Sequence, residues 1–387
     1  MNPVSFPHRV PGGLRLSGLA TGGLGLVVAL AAGAAPSPPR GPITNLRGQL
    51  ISVSAVSPSD AWAVGLTNGN ADLVMHWNGT RWTPATGVGP ATELLGVSAL
   101  SANDVWAVGQ GSSGRRVLET VVLHWNGTRW AHVASPNPGP APPRDGLAGV
   151  SALSPSDAWA VGGSGHNTLV LHWNGTRWAQ VASPDPSRSG NQLFAVSAAS
   201  PSDVWAVGES GTSSPRGLML HWNGTAWAQV PIPHPGRGTG TLSGVDALSR
   251  SDAWAVGSYD TGRGTRISAK TLVLHWNGTN WTQVATPSPG PVPMIDSLAE
   301  VSALSPSDAW AVGESTISNG NTEPLVLHWN GTSWAQVASP QLGHFGSSLF
   351  GVSALSPGDA WAVGVVINAN NFTTLVLHWN GTSWTRS

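Results

Sequence analysis

The sequence predicts an all-β protein made of seven copies of one four-stranded unit, and three observations carry that reading. The string Ser-Asp-Ala-Trp-Ala-Val-Gly, with small variations, recurs seven times, around Trp62, Trp106, Trp159, Trp205, Trp254, Trp310 and Trp361. A second string, His-Trp-Asn-Gly-Thr-x-Trp, also recurs seven times, starting at His76, His124, His172, His221, His275, His328 and His378. One Trp from the first string and two from the second account for all 21 Trp, so no large aromatic is left for a separate domain. Short strands at even spacing with turn signals between them indicate an all-β chain. No segment holds a 3.6-residue period long enough to read as a helix.

Taken from the start, residues 1–34 read as a secretory signal peptide. Arg9 and Arg15 precede an apolar run, Leu16 to Leu30, and Ala32-Gly33-Ala34 offers a small-residue cleavage site. The run is Gly-rich and falls short of the ~20 strongly apolar residues of a membrane span, so cleavage after Ala34 is expected rather than an anchor. Residues 35–47 form a Pro-rich N-terminal arm. Residues 48–387 hold the seven units, at approximately 48–93, 94–146, 147–192, 193–241, 242–297, 298–348 and 349–387.

Each unit is expected to contain four strands. Strand 1 is Leu-x-Gly-Val-Ser-Ala-Leu, as at Leu94–Leu100, followed by a Ser-Pro-Ser-Asp turn, as at Ser154–Asp157, with Pro where a type I turn fixes φ. Strand 2 is Ala-Trp-Ala-Val, ended by Gly. Strand 3 is Leu-Val-Leu-His-Trp. Asn-Gly then predicts a two-residue type I′ hairpin, which would pair Trp77 with Thr80 and Met75 with Trp82. Strand 4 is Thr-x-Trp-x-x-Val. A unit of about 50 residues with four strands, repeated seven times, is the pattern of a β-propeller blade. The fold expected is a seven-bladed β-propeller of four-stranded antiparallel blades. Strand 1, rich in Gly, Val, Ser and Ala, is placed at the crowded axis.

Composition narrows the function. The formal charge is −1 and Lys270 is the only Lys, so there is no basic excess to bind a nucleic acid backbone. With no Cys in the chain, disulfides, thiolate metal sites and Cys nucleophiles are excluded.

The paired strings resemble a group of bacterial secreted propellers with Trp-rich "DAWAVG…LHWNGTxW" repeats, similar to kelch and BNR (Asp-box) repeats. Gly162-Gly163 gives the double glycine of a kelch blade, and Trp173 with Trp178 stands at the aromatic pair around its hairpin. Gly175 and Trp178 match an Asp-box, with Trp173 where that motif has its Asp. The resemblance implies a secreted or cell-surface propeller and assigns no ligand.

Residues repeated in every unit are read as scaffold. Asp60, Asp104, Asp157, Asp203, Asp252, Asp308 and Asp359 are expected to bond backbone N–H groups in their turns. The seven His of strand 3 are expected to hydrogen-bond across the hairpin, because they diverge around a ring and cannot converge on one metal ion. The seven Asn-Gly-Thr strings fit an N-glycosylation sequon, but the tight turn accounts for them.

Function is then sought where the repeat breaks. In a four-stranded meander the loops between strands 2 and 3 share one face with the blade-to-blade connectors. That face carries the variable segments Gln110–Glu119, Ser258–Lys270, Glu314–Glu323 and Asn137–Arg144. Two strand 1 departures stand in adjacent blades: Asp246, where the other blades have Ser, and Glu300, where they have Gly, Ser or Ala. Glu209 and Glu314 follow strand 2 of blades 4 and 6. Tyr259, the only Tyr, sits with Asp260, Arg263 and Arg266 in blade 5. Together these residues predict an acidic cluster at one side of a channel mouth, a polar ligand pocket that could take Ca²⁺ or Mg²⁺ at Asp246 and Glu300.

The expected function is a secreted, non-enzymatic binding scaffold, a monomer that presents a ligand or partner on the variable loop face. Its partner would be an extracellular protein or a glycan, with no nucleic acid and no membrane span in the mature chain. Two alternatives remain. One is a metal-assisted lyase or hydrolase using Glu300, Asp246 and a loop His (His166, His234 or His344). The other is a carbohydrate-binding lectin propeller, which is weakened by every Trp having a scaffold position.

Overall fold

The computed structural model describes residues 46–387 except 70, 86–91, 115–116, 142, 236–238, 263–267, 292–293, 319 and 370. The leader expected at 1–34 and nearly all of the expected arm lie outside the described residues. The chain folds as a seven-bladed β-propeller. Blade 1 is β1 (Gly48–Ser57), β2 (Asp60–Thr67), β3 (Asp72–Trp77) and β4 (Trp82–Pro84), paired antiparallel in that order. The other six blades repeat this plan with first strands Thr92–Ser101, Asp145–Ser154, Asn191–Ser200, Gly240–Ser249, Asp296–Ser305 and Ser347–Ser356. No helix occurs among the described residues. Each first strand packs beside the first strands of both neighbouring blades, blade 7 against blade 1 included, so these strands ring the axis.

Seven buried clusters glue the ring, and each spans two neighbouring blades. The aromatic contacts explain why each unit needs three Trp. Trp62 of blade 1 packs on both hairpin Trp of blade 2, with ring centroids 5.2 Å from Trp125 and 5.3 Å from Trp130, the latter edge-on. Offset and edge-to-face pairs add to the area that such rings bury. The same set closes the circle, because Trp361 of blade 7 meets Trp77 at 4.9 Å and Trp82 at 5.3 Å in blade 1. Among the described residues each blade takes four consecutive strands, and an isolated antiparallel bridge between Arg47 and Thr373 joins the start of the propeller to blade 7. The outermost strand of blade 7, Trp384–Arg386, is as long as β4.

The hairpin differs from the type I′ expectation. Trp77 pairs with Trp82 and Met75 with Pro84, leaving a four-residue loop. The Asn78 side chain decides this. Its Oδ1 accepts from the N–H of Thr80, the hydroxyl of Thr80 and the N–H of Arg81. An Asx cap of this kind competes with a tight backbone turn. Both hairpin Trp still share one face, now as a direct cross-strand pair. Gly79 has φ +88, a conformation that glycine adopts at little cost.

Strand 2 does not end at its Gly, since β2 continues through Leu66 to Thr67. Opposite that Gly, β1 carries a bulge at Ile51, with Leu50 facing Gly65 and Ser52 facing Val64. A Cβ on Gly65 would run into the Gln49 carbonyl, and the equivalent Gly of every blade is confined the same way. Pairing resumes beyond the bulge. From blade 2 on, strand 1 therefore starts two residues before the Leu at which the sequence sets each blade boundary. The segments expected as variable loops are partly strand for the same reason. Asp104–Gly114 and Val117–Trp125 lengthen one hairpin, and Asp308–Thr316 and Thr322–Trp329 another.

Candidate functional site

The repeated polar residues pair with each other rather than with backbone. His76 Nε2 donates to Asp60 Oδ1 at 3.0 Å, and each blade repeats the pair, down to 2.6 Å for His221 and Asp203. Each His ring also lies against its own strand 2 Trp, with centroids 4.2 Å apart for Trp62 and His76. Both groups are thereby committed to the scaffold.

A second sevenfold ring runs through strand 1. The Ser98 hydroxyl of blade 2 accepts from the N–H of Ala152 in blade 3 at 3.1 Å. Ser54, Ser151, Ser197, Ser302 and Ser353 make the same bond to the next blade. In blade 5 the acceptor is Asp246, whose Oδ2 takes the Ala303 N–H at 2.8 Å while Oδ1 takes the Ser197 hydroxyl at 3.1 Å. Asp246 thus fills the place of the ring Ser. Burial pushes its carboxyl above the ordinary range, against the opposing pull of these hydrogen bonds.

The bulges point their extra residues into the bore. They are Ile51, Leu95, Ala148, Phe194, Ser243, Ala299 and Phe350, and all seven line one cavity of about 1000 Å³. The cavity opens on the face that carries the variable segments, with Glu209, Ser213, Asp260 and Ser268 at its rim. The Asn-Gly-Thr loops of the opposite face contribute nothing to its wall.

Of the residues singled out in the sequence, Asp246, Glu300, Glu209 and Asp260 line this cavity. Glu300 Oε1 accepts from the Val301 N–H at 3.0 Å. Gly244 in blade 5 makes room for it, because a Cβ there would strike the Glu300 carboxylate. Burial raises Glu300 to about 8, with the nearby Asp246 charge adding to the rise and the Val301 bond opposing it. Asp260 Oδ1 accepts from the Gly262 N–H at 2.6 Å.

Two others lie elsewhere. Glu314 is buried between blades 6 and 7. Its Oε2 accepts from the Ser348 hydroxyl at 2.6 Å, and its Oε1 has no hydrogen-bond partner. Burial raises it to about 7, partly offset by the Ser348 bond. Tyr259 packs into the core between blades 4 and 5, beside Ile232 and His234. It stands in strand 2 of blade 5 between Ser258 and Asp260, which line the cavity, and the alternation of the strand turns it away from the bore. Arg263 and Arg266 fall outside the described residues.

A hard divalent cation takes six to eight oxygens. Among the described residues no three His, Asp or Glu side chains come together, and both Asp246 oxygens already accept hydrogen bonds. The pair alone is a poor cation cage.

The residues that sequence reasoning missed are the bulge residues. The signal was present: the x of Leu-x-Gly-Val-Ser-Ala-Leu varies widely across the seven units. Every Phe among the described residues is on this same face. Phe194 and Phe350 line the cavity, and Phe345 and Phe372 stand exposed on the rim of blade 7, where both adjoin Ile367. Among the described residues no helix is long and apolar enough to cross a membrane.

No protein-family model and no curated protein sequence matches the chain. Solved structures do. A structure of YCF48 bound to a D1 peptide aligns over 85% of this chain and 93% of its own, at 17% identity and TM-score 0.50. The WD40 repeats of RRP9 align over 84% and 94%, at 14% identity and TM-score 0.54. A GH74 xyloglucanase from Xanthomonas campestris aligns over 87% of this chain and 52% of its own, at 15% identity and TM-score 0.55. What these proteins share with the present chain is the β-propeller fold.

Proposed function

We propose that the protein is a secreted, non-catalytic binding scaffold that engages its partner through the cavity and the variable loop face around it. The observation that carries this reading is the contrast between the two faces. On one, seven near-identical loops spend their polar groups on their own backbone. On the other, a cavity of about 1000 Å³ opens, and its wall departs from sevenfold symmetry at Phe194, Glu209, Asp246 and Glu300. Binding residues concentrate where a rigid scaffold presents irregular segments, and a large concave site with a few polar groups is where ligands bind. YCF48, a propeller of similar fold captured bound to a D1 peptide, supports a binding role. The leader read from the sequence at residues 1–34, and the resemblance of the repeats to those of secreted propellers, support a partner outside the cell.

Site-specific photo-crosslinking tests the reading. A crosslinking residue is placed at Ser213 on the cavity rim or at Arg81 on the opposite face, and the protein is exposed to the secreted and envelope fractions of its own cells. Adducts from Ser213 and none from Arg81 are expected. Adducts of equal yield from both faces would overturn it.

A further inference from the structure

We propose that the cavity recognises a peptide segment in which a Lys or Arg side chain is flanked by apolar residues. The inference rests on the binding-scaffold reading above and names the chemistry of its partner.

The wall of the cavity is divided. All four charged lining residues, Glu209, Asp246, Asp260 and Glu300, come from blades 4 to 6 and all are acidic; among the described lining residues none is Lys, Arg or His. Across the bore, blades 7, 1 and 2 present the bulge side chains Phe350, Ile51 and Leu95 and no charge, while Phe194 of blade 4 adds an apolar surface beside the acidic residues. In a ring of seven those three blades stand opposite blades 4 and 5. Glu209 and Asp260 give the recess charge of one sign, which focuses its field on a cation, and Glu300 and Asp246, held toward their neutral forms by burial, ionise against one. The apolar half-wall stays half-buried and open to the bore, and such surface marks a contact site. A ligand that satisfies both halves carries a cation on one side and apolar bulk on the other.

The details favour an organic cation over a metal ion. Asp246 is held by the ring bond to Ala303, so it contributes field rather than free ligand atoms. Glu300 is the group with capacity to spare. One of its oxygens takes the Val301 N–H and sits in the place that Gly244 leaves, and the side chain lines the open cavity. A Lys or Arg donor can bond a single carboxylate and needs no cage of six oxygens. The neutral state that burial imposes on Glu300 up to about 8 means that an arriving cation draws off its proton.

Three fluorescent pentapeptide pools test the proposal on the purified protein by anisotropy. Each pool has randomised apolar flanks, with Lys, Gln or Glu at the centre. The Lys pool is expected to bind on the order of tenfold more tightly than the Gln pool, the size of one good charge-assisted contact, and the Glu pool more weakly than either. Glu300→Gln should reduce the preference for Lys over Gln to less than about twofold. Phe350→Ala should weaken the Lys and Gln pools alike. Equal binding of the Lys and Gln pools would overturn the cation preference and leave cavity binding standing. A Lys preference unchanged in Glu300→Gln would also overturn it. Failure of every pool would remove the peptide site altogether, while the crosslinks from Ser213 would still report on docking across the outer loops.

Discussion

The Ser353 hydroxyl of blade 7 accepts a hydrogen bond from the backbone N–H of Ala55 in blade 1, at 3.1 Å. It is the bond by which each other blade holds the next, so the seam where the chain ends meet is stitched like the other six. At the blade 5–6 seam the stitch is a carboxylate, Asp246, at 2.8 Å from the Ala303 nitrogen.

Asp246→Ala leaves the Ala303 N–H without its acceptor, at a cost of about 1–3 kcal/mol for a buried unsatisfied donor. Asp246→Ser restores the acceptor used by the other six blades and removes a carboxyl that burial disfavours in its ionised form. The Ser variant is therefore expected to be at least as stable as the parent, and the Ala variant clearly less so. Urea midpoints compare them. If both variants lose the same stability, the ring bond is not what this position supplies.

Glu300 and Glu314 set the pH dependence of stability. Both are held above their ordinary 4.5, at about 8 and about 7. Between 4.5 and those values the folded chain binds protons that the unfolded chain has released, so stability falls as pH rises through this window. The fall is complete above about 8. The protein is expected to be more stable near about pH 5 than near about pH 9, by several kcal/mol at most, with the raised Asp246 acting in the same direction. Glu314→Gln should shrink that difference, and so should Glu300→Gln. Denaturant midpoints measured at both pH values check this, and a parent protein more stable at the alkaline end would contradict the burial argument.

Most of the scaffold could be read from the sequence because it is written seven times. Three Trp per unit, a Gly after each Trp-Ala-Val and a ring Ser in strand 1 of six blades are repeated demands of one packing scheme. Pair chemistry was less legible. Asp60 and His76 lie on different strands, and their bond depends on how β2 and β3 are staggered, which composition does not reveal. The candidate site was legible in part. Asp246 and Glu300 stood out because they break the repeat, and both reach the bore. Glu314 breaks it too, yet its carboxyl is buried against Ser348 of blade 7, although Glu209 at the same register of blade 4 lines the cavity; register alone does not separate the two. The bulge itself went unread, and with it the apolar half of the cavity.

The bulge makes its own prediction. A methyl at position 109 would collide with the Glu93 carbonyl. Gly109→Ala must therefore flatten or shift the bulge that turns Leu95 into the bore, a backbone conflict of the kind that costs upwards of about 2 kcal/mol. A Gly with open space around it, Gly165 on a surface turn, serves as the control, although its φ of +62 makes its Ala variant modestly unfavourable, by about 1 kcal/mol. Thermal unfolding should rank Gly109→Ala well below Gly165→Ala. Equal losses would mean that the bulge is soft and its residue is not held in place.

The seam between blades 7 and 1 has no covalent link across it. Every other seam is crossed by a connector. This one relies on Trp361 against Trp77 and Trp82, the Ser353–Ala55 bond, and a short strap in which the Leu46 carbonyl takes the Thr374 N–H at 3.0 Å. Local opening follows the weakest set of contacts, so the propeller should open here first. Ala55 and Ala99 make equivalent bonds, to Ser353 and Ser54, and differ only in the seam they cross. Native-state hydrogen exchange should show the Ala55 amide exchanging faster than that of Ala99. Trp361→Leu should widen the gap by lowering protection at Ala55 more than at Ala99, because full truncation of a buried Trp costs about 3–5 kcal/mol, of which Leu forfeits a part, and this seam has no connector to limit the opening. Equal protection at Ala55 and Ala99 in both proteins would mean that the circle opens as one unit, with the chain ends held as firmly as any internal joint.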